Sequence, residues 1–148
     1  MTRESFVIAQ LSDIHCGSPY FDGGLLETAV NETIGLGPDL VLIGGDLTAE
    51  GYANEFRTAQ THLEPLFEEG LTTLVIPGNH DAKNVGYLHF VDSFGAGDVP
   101  GKGDRVLQLS GRLGSSEPRS FTVVAMDSTK PDLAEGEIGR ERYSWIRQ

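Results

Sequence analysis

Three short motifs in this 148-residue chain carry side chains of the types that bind divalent metals. They are Asp13-Ile14-His15, Gly44-Gly45-Asp46 and Gly78-Asn79-His80-Asp81. Taken singly, an Asp-x-His pair can arise by chance and a Gly-Asp pair can be a turn or a helix cap. The Gly-Asn-His-Asp motif is more restrictive, and the ordered trio favours one shared metal centre. Oxygen and imidazole ligands without thiolates suit Mn, Fe, Zn or similar first-row metals.

Each motif directly follows a short apolar run, as a loop at the carboxyl end of a strand would. The pattern predicts strands at 6–11, 39–43 and 71–76, separated by helices at 25–34 and 53–69. A βαβαβ order implies a parallel sheet, whose functional groups gather beyond the carboxyl ends of the strands. The run at 6–11 predicts a buried strand, and the continuous apolar run at 39–43 predicts a strand buried on both faces. Pro65 is expected to bend or shorten the second helix.

Later segments are predicted as a helix at 85–94, two strands at 105–109 and 120–126 linked by a polar turn, and a helix from residue 139. Together these elements indicate an α/β protein forming a single domain over residues 1–148.

The spacing within the motifs assigns candidate metal ligands. Asp13 and His15 are two residues apart, so in an extended segment their side chains face the same side and can hold one cation. Asp46 has two carboxylate oxygens and could bridge that cation to a second one. Asn79 offers an amide oxygen to the second cation. Two metal ions about 3.5–4 Å apart are an established arrangement for phosphoester hydrolysis.

The remaining residues of the third motif suggest catalytic roles. His80 is a candidate to stabilise or protonate the leaving oxygen. Asp81 could orient the His80 ring by accepting its other N–H. Cys16 follows a candidate ligand, and a small buried thiol is the preferred interpretation.

Composition limits the classes of partner. The chain has 11 basic and 22 acidic residues, a net charge of −11, which disfavours nucleic acid and anionic membranes as partners. A single cysteine excludes an internal disulfide and favours a reducing compartment. No apolar run approaches the roughly 20 residues needed to cross a bilayer. These features predict a cytoplasmic protein without a membrane segment.

At these motifs the chain resembles the calcineurin-like metallophosphoesterase superfamily. The similarity extends to Pro38-Asp39-Leu40-Val41 and Gly51-Tyr52, while Asp127-Ser128, Gly136 and Trp145 resemble the branch that contains cyclic-nucleotide phosphodiesterases. The resemblance implies a four-layered α/β/β/α sandwich and phosphodiester hydrolysis by a hydroxide that bridges two metal ions. It also implies that Asp13, His15 and Asp46 bind the first metal, that Asn79 binds the second, and that His80 is the catalytic histidine.

The sequence departs from the family pattern in its second half. That pattern continues with a Gly-His and a Gly-His-x-His motif, whereas this sequence has no histidine after His89. We therefore expect a truncated domain, the N-terminal part of the sandwich with most of the second sheet absent. Alone it should bind one metal weakly and catalyse poorly, unless an oligomer or a complementing chain supplies the missing histidines. The alternative is a noncatalytic or degenerate relative that acts as a protein-interaction subunit.

Overall fold

The computed structural model describes residues 6–97, 103–111, 119–140 and 142–147. The elements in chain order are β1 (Ile8–Leu11), α1 (Gly23–Leu36), β2 (Leu40–Ile43), α2 (Ala53–Glu68), β3 (Thr73–Val75), α3 (Gly86–Phe94), β4 (Arg105–Gly111), β5 (Arg119–Ala125) and α4 (Arg142–Ile146). The predicted βαβαβ order is confirmed. Most of the polar turn expected between β4 and β5 lies outside the described residues.

The first three strands form a parallel sheet in the order β1-β2-β3. Leu11 lies opposite Ile43, and Ile43 lies opposite Val75, so the three strands end at the same edge. The loops that follow them, which carry the three motifs, therefore leave from one side of the sheet. The predicted α/β class with a parallel sheet is confirmed.

The hydrophobic core lies between one face of this sheet and the helices. Val41, Ile43 and Val75 on the sheet belong to one buried cluster with residues of α1, α2 and α3. The helical members are Leu26, Val30, Phe56, Ala59, Leu63, Leu66 and Phe90. Burying each large apolar side chain contributes about 1.5–3 kcal/mol. Packing in the hydrophobic core thus holds the strand ends in place.

The ends of the helices follow from local side-chain chemistry. Asp22 caps α1, because its Oδ1 accepts the N–H groups of Gly24 and Leu25 at 2.9 and 3.1 Å. The helix stops at Gly37, which has a φ of 54°, a left-handed conformation that costs glycine little. Pro65 lies inside α2, yet the helix continues to Glu68.

The expectation that the first strand is buried is wrong. Ile8 is 50% exposed and Gln10 is exposed, whereas Leu40 on the neighbouring strand is fully buried. The reason is position, since within the described residues β1 pairs only with β2 and lies at the edge of the sheet. An apolar run does not distinguish an edge strand from a central one.

The second half of the chain forms a separate antiparallel pair, β4–β5, in which Leu109 lies opposite Phe121. The Phe121 ring packs edge-on against Phe6, just before β1, with ring centroids 4.3 Å apart. None of the helices in the described part of the chain combines the length and the apolar character needed to cross a bilayer.

Candidate metal centre

The loops after β1 and β2 run side by side beyond the sheet. Hydrogen bonds join the Asp13 N–H to the Gly45 carbonyl at 3.2 Å and the His15 N–H to the Asp46 carbonyl at 2.9 Å. Parallel pairing thus continues past the strand ends. It holds the first two motifs next to each other.

The candidate ligands of these loops have an unusual backbone conformation. Asp13, His15 and Asp46 have φ values of 57°, 51° and 52°. Non-glycine residues rarely adopt positive φ, and such strain concentrates at functional sites. The prediction of an extended Asp13–His15 segment is therefore wrong. The two side chains nevertheless approach each other, with Asp13 Oδ1 lying 3.9 Å from His15 Nε2.

Three candidate residues converge on one point. Ligand atoms of His15, Asp46 and His80 all lie within 4.8 Å of one another, and all three residues are half-buried. The two imidazole rings meet edge-to-face with centroids 4.6 Å apart. Ligands about 2.0–2.2 Å from one ion lie within roughly 4.4 Å of one another. The spacing of this trio is therefore close to what a first-row divalent cation requires.

Two glycines make this convergence possible. A Cβ atom on Gly78 would lie 2.2 Å from Asp46 Oδ1 and 2.3 Å from Asp46 N. A Cβ atom on Gly45, which has a φ of 91°, would lie 2.4 Å from Gly78 N. The second and third loops therefore touch backbone to backbone, and any side chain at Gly78 would displace the Asp46 carboxylate.

The ring of His80 is oriented by a backbone group. Its Nδ1 lies 2.6 Å from the Ala49 carbonyl oxygen, and its backbone N–H donates to Asp46 Oδ1 at 2.9 Å. A carbonyl oxygen only accepts, so Nδ1 carries the proton and Nε2 is the free nitrogen of the neutral ring. That arrangement suits a ligating or proton-transferring histidine.

The structure corrects the role expected of Asp81. Its buried carboxylate accepts the N–H groups of Leu47, Thr48 and Gly78 at 3.2, 2.9 and 2.9 Å, and the Thr48 hydroxyl at 2.8 Å. Burial raises the pKa of the Asp81 carboxyl, and these donors oppose the rise. Asp81 thus joins the second and third loops, and the Ala49 carbonyl takes the position on the His80 ring that Asp81 was expected to hold.

The other two predicted ligands lie beside the trio. The Asp13 side chain is 69% exposed, and the Ser12 hydroxyl donates to its Oδ2 at 2.5 Å. Asn79 is half-buried in the turn between Gly78 and His80. The assignment of the Asn79 amide to a second metal stays a prediction.

Cys16 is fully buried next to His15, as expected for a small packed thiol. Burial, reinforced by the negative charge of Glu55, raises the pKa of Cys16 to about 12. Among the described residues, Cys16 does not belong to the converging group of possible metal ligands.

Sequence reasoning missed a buried polar cluster formed by Asp104, Asp127 and Arg142. Arg142 Nη1 donates to Asp104 Oδ1 at 3.0 Å and to the Asp127 carbonyl. Asp127 Oδ2 accepts the Gly103 N–H at 2.8 Å. The cluster fixes α4 to the β4–β5 hairpin. Acidic and basic residues are usually exposed, so nothing in the local sequence marks these three as buried.

Two proteins that are similar to this chain are both named probable cyclic nucleotide phosphodiesterases. A protein from Ruthia magnifica, named a probable cyclic nucleotide phosphodiesterase, is 36% identical over 89 residues, which are 57% of this chain and 36% of that protein. One from Rhodococcus erythropolis with the same name is 25% identical over 154 residues, covering 98% of this chain and 47% of that protein. The chain thus spans only about a third to a half of the length of these curated relatives.

The family comparison covers nearly the whole chain. The sequence profile described as calcineurin-like phosphoesterase matches residues 6–148, which include all three motifs and the converging trio. The chain therefore belongs to the calcineurin-like phosphoesterase family.

Proposed function

We propose that this chain carries part of the metal site of a phosphodiesterase that uses two divalent ions. The observation that carries the proposal is that two proposed ligands, His15 and Asp46, converge with the proposed proton donor His80 at the carboxyl edge of a parallel sheet. Phosphoester hydrolysis is the chemistry of the family, and the relatives' names support a phosphodiester substrate.

The proposed ligand assignment is the one that the family resemblance implies. In this proposal Asp13, His15 and Asp46 hold the first ion, and Asp46 extends to the second, to which Asn79 contributes its amide oxygen. The ions, when bound, supply Lewis acidity that lowers the pKa of water and offsets the charge of a phosphate. Because the chain carries a net charge of −11, an anionic substrate depends on that local positive charge.

His80 is the proposed proton donor to the leaving oxygen. Because its Nδ1 is held by the Ala49 carbonyl, a protonated ring would donate from Nε2. The T-shaped contact with His15 keeps the ring at the edge of the proposed metal site. The family pattern described above adds histidine ligands that this sequence lacks. We propose that they come from the remainder of a longer protein or from a complementing chain.

Metal content and turnover test the ligand assignment. The chain, and a longer protein containing it, would be loaded with Mn²⁺, analysed for bound metal and assayed on bis-para-nitrophenyl phosphate. Asp46→Ala should lower both metal content and turnover, since it removes the proposed bridging ligand. Asp92→Ala, an exposed carboxylate on α3, is the matched control. Equal metal content and equal rates in the parent, Asp46→Ala and Asn79→Ala would contradict the proposal.

The leaving group distinguishes the two possible roles of His80. If His80 protonates the leaving oxygen, His80→Ala should slow an alkyl phosphodiester, a poor leaving group, at least tenfold more than the para-nitrophenyl diester. Bound metal should stay unchanged. A uniform loss for both substrates together with lost metal would make His80 a ligand instead.

A further inference from the structure

Lys83 lies three residues after His80 and reaches back to the same carbonyl oxygen. Its Nζ lies 3.1 Å from the Ala49 oxygen, which His80 Nδ1 approaches at 2.6 Å. The same ammonium group pairs with Glu50 Oε1 at 2.9 Å. One backbone oxygen therefore accepts from both the imidazole and the lysine, which its two lone pairs allow.

The loop that carries this oxygen is held from more than one side. The Asn84 side-chain amide donates to the Glu50 carbonyl at 2.8 Å. Thr48, just before Ala49, is bound to the Asp81 carboxylate. Lys83 adds the contact closest to the imidazole, since it bonds the oxygen atom that orients the ring. Without the ammonium group, that oxygen has one fewer donor to fix its direction.

A purely stabilising role accounts poorly for this arrangement. The Lys83 and Glu50 side chains are 27% and 52% exposed, and ion pairs this close to the surface contribute little to stability. What the pair does specifically is to place a positive donor on the acceptor of His80. The carbonyl oxygen can only accept, so it favours the Nδ1-protonated ring and leaves Nε2 for chemistry at the site, and Lys83 holds that oxygen in place.

We propose that Lys83 is a positioning residue for His80, acting through the Ala49 carbonyl and held there by Glu50. The inference rests on the proposed function in one respect, which is that His80 has a catalytic role. The orientation of the ring can be measured without that task. Substituting Lys83 should therefore change the state of the imidazole much more than the stability of the fold.

The test compares Lys83→Met, which removes the ammonium group, with Lys83→Arg, which retains a donor able to reach both partners. The ring nitrogens of His80 would be observed by ¹⁵N NMR in the metal-free 148-residue chain at about pH 8, where an ordinary histidine is neutral. His80→Gln assigns the signals. We expect one dominant Nδ1-protonated tautomer in the parent and in Lys83→Arg, and a mixture of tautomers in Lys83→Met.

Glu50→Gln is a second variant, which weakens the hold on Lys83 while keeping its charge, and it should produce a smaller shift in the same direction. The urea unfolding midpoints of Lys83→Met, Lys83→Arg and Glu50→Gln should be close to that of the parent. Unchanged His80 nitrogen signals in a folded Lys83→Met chain would overturn the inference. Absence of hydrolysis in the parent would instead count against the proposed function and leave the NMR comparison valid.

Discussion

Asp81→Asn is the substitution that best tests how the second and third loops are held together. The parent carboxylate receives two donors on each oxygen: Leu47 and Gly78 N–H on Oδ2, and the Thr48 N–H and hydroxyl on Oδ1. An asparagine can present its carbonyl oxygen to one pair only. Its NH₂ group must then face the other pair, where the Thr48 hydroxyl can rotate to accept but the Thr48 N–H cannot.

The expected loss of stability follows from the number of hydrogen bonds that the substitution changes. One buried N–H left without an acceptor costs about 1–3 kcal/mol, and converting three charge-assisted hydrogen bonds to neutral ones costs roughly 1 kcal/mol each. Removing a buried charge offsets part of this loss of stability, because burial disfavours the carboxylate and raises the pKa of Asp81. The net expected loss in the free energy of unfolding is about 3 kcal/mol.

Urea denaturation followed by far-ultraviolet circular dichroism measures this loss, with the m-value checking that the transition is unchanged. Thr48→Val, which replaces the hydroxyl with a methyl group, should cost about 1 kcal/mol. Asp92→Asn on the surface of α3 should stay within roughly 0.5 kcal/mol of the parent. A loss below about 1 kcal/mol for Asp81→Asn, accompanied by a large fall in turnover, would refute the structural role and restore the catalytic one.

Three further perturbations have defined outcomes. Gly78→Ala should lower the Mn²⁺ affinity measured by calorimetry at least tenfold, because the added Cβ would displace Asp46. Gly35→Ala, which has open space around it, should stabilise α1 by about 1 kcal/mol and leave the Mn²⁺ affinity intact. Equal affinities in the two variants would contradict the steric argument. Arg142→Met should cost about 3–5 kcal/mol in urea unfolding, because the fully buried Asp104 carboxylate loses its counter-ion and keeps the Asp127 N–H as a donor. A loss under about 1 kcal/mol would show that the ion pair is dispensable. Folding raises the pKa of Cys16 from 9.0 to about 12, so the contribution of the thiol to stability is complete below pH 9.0 and is lost as the pH rises towards 12. Cys16→Ala should therefore reduce the loss of stability at alkaline pH. An identical loss in both proteins would exclude Cys16 as its source.

The sequence alone predicted the parts of the site that depend on local pattern. Apolar runs and helical spacing located the βαβαβ elements, because burial imposes a period on the residues of each element. The motifs after the strands identified His15, Asp46 and His80, because parallel strands with short crossovers bring their carboxyl ends to one edge. These are short-range regularities, and the order of elements is enough to bring the ligands together.

The tertiary structure alone decided which group each side chain contacts. His80 bonds the carbonyl of Ala49, 31 residues earlier, and Asp81 bonds Thr48, 33 residues earlier. Every residue has a backbone carbonyl, so the sequence cannot predict which carbonyl accepts from His80. Asp81 carries the same carboxylate whether it faces an imidazole or a row of N–H groups, and only the packing of the two loops selects between these contacts. The positive φ values of Asp13, His15 and Asp46 likewise accompany pairing between loops, because local preference favours other conformations at those residues.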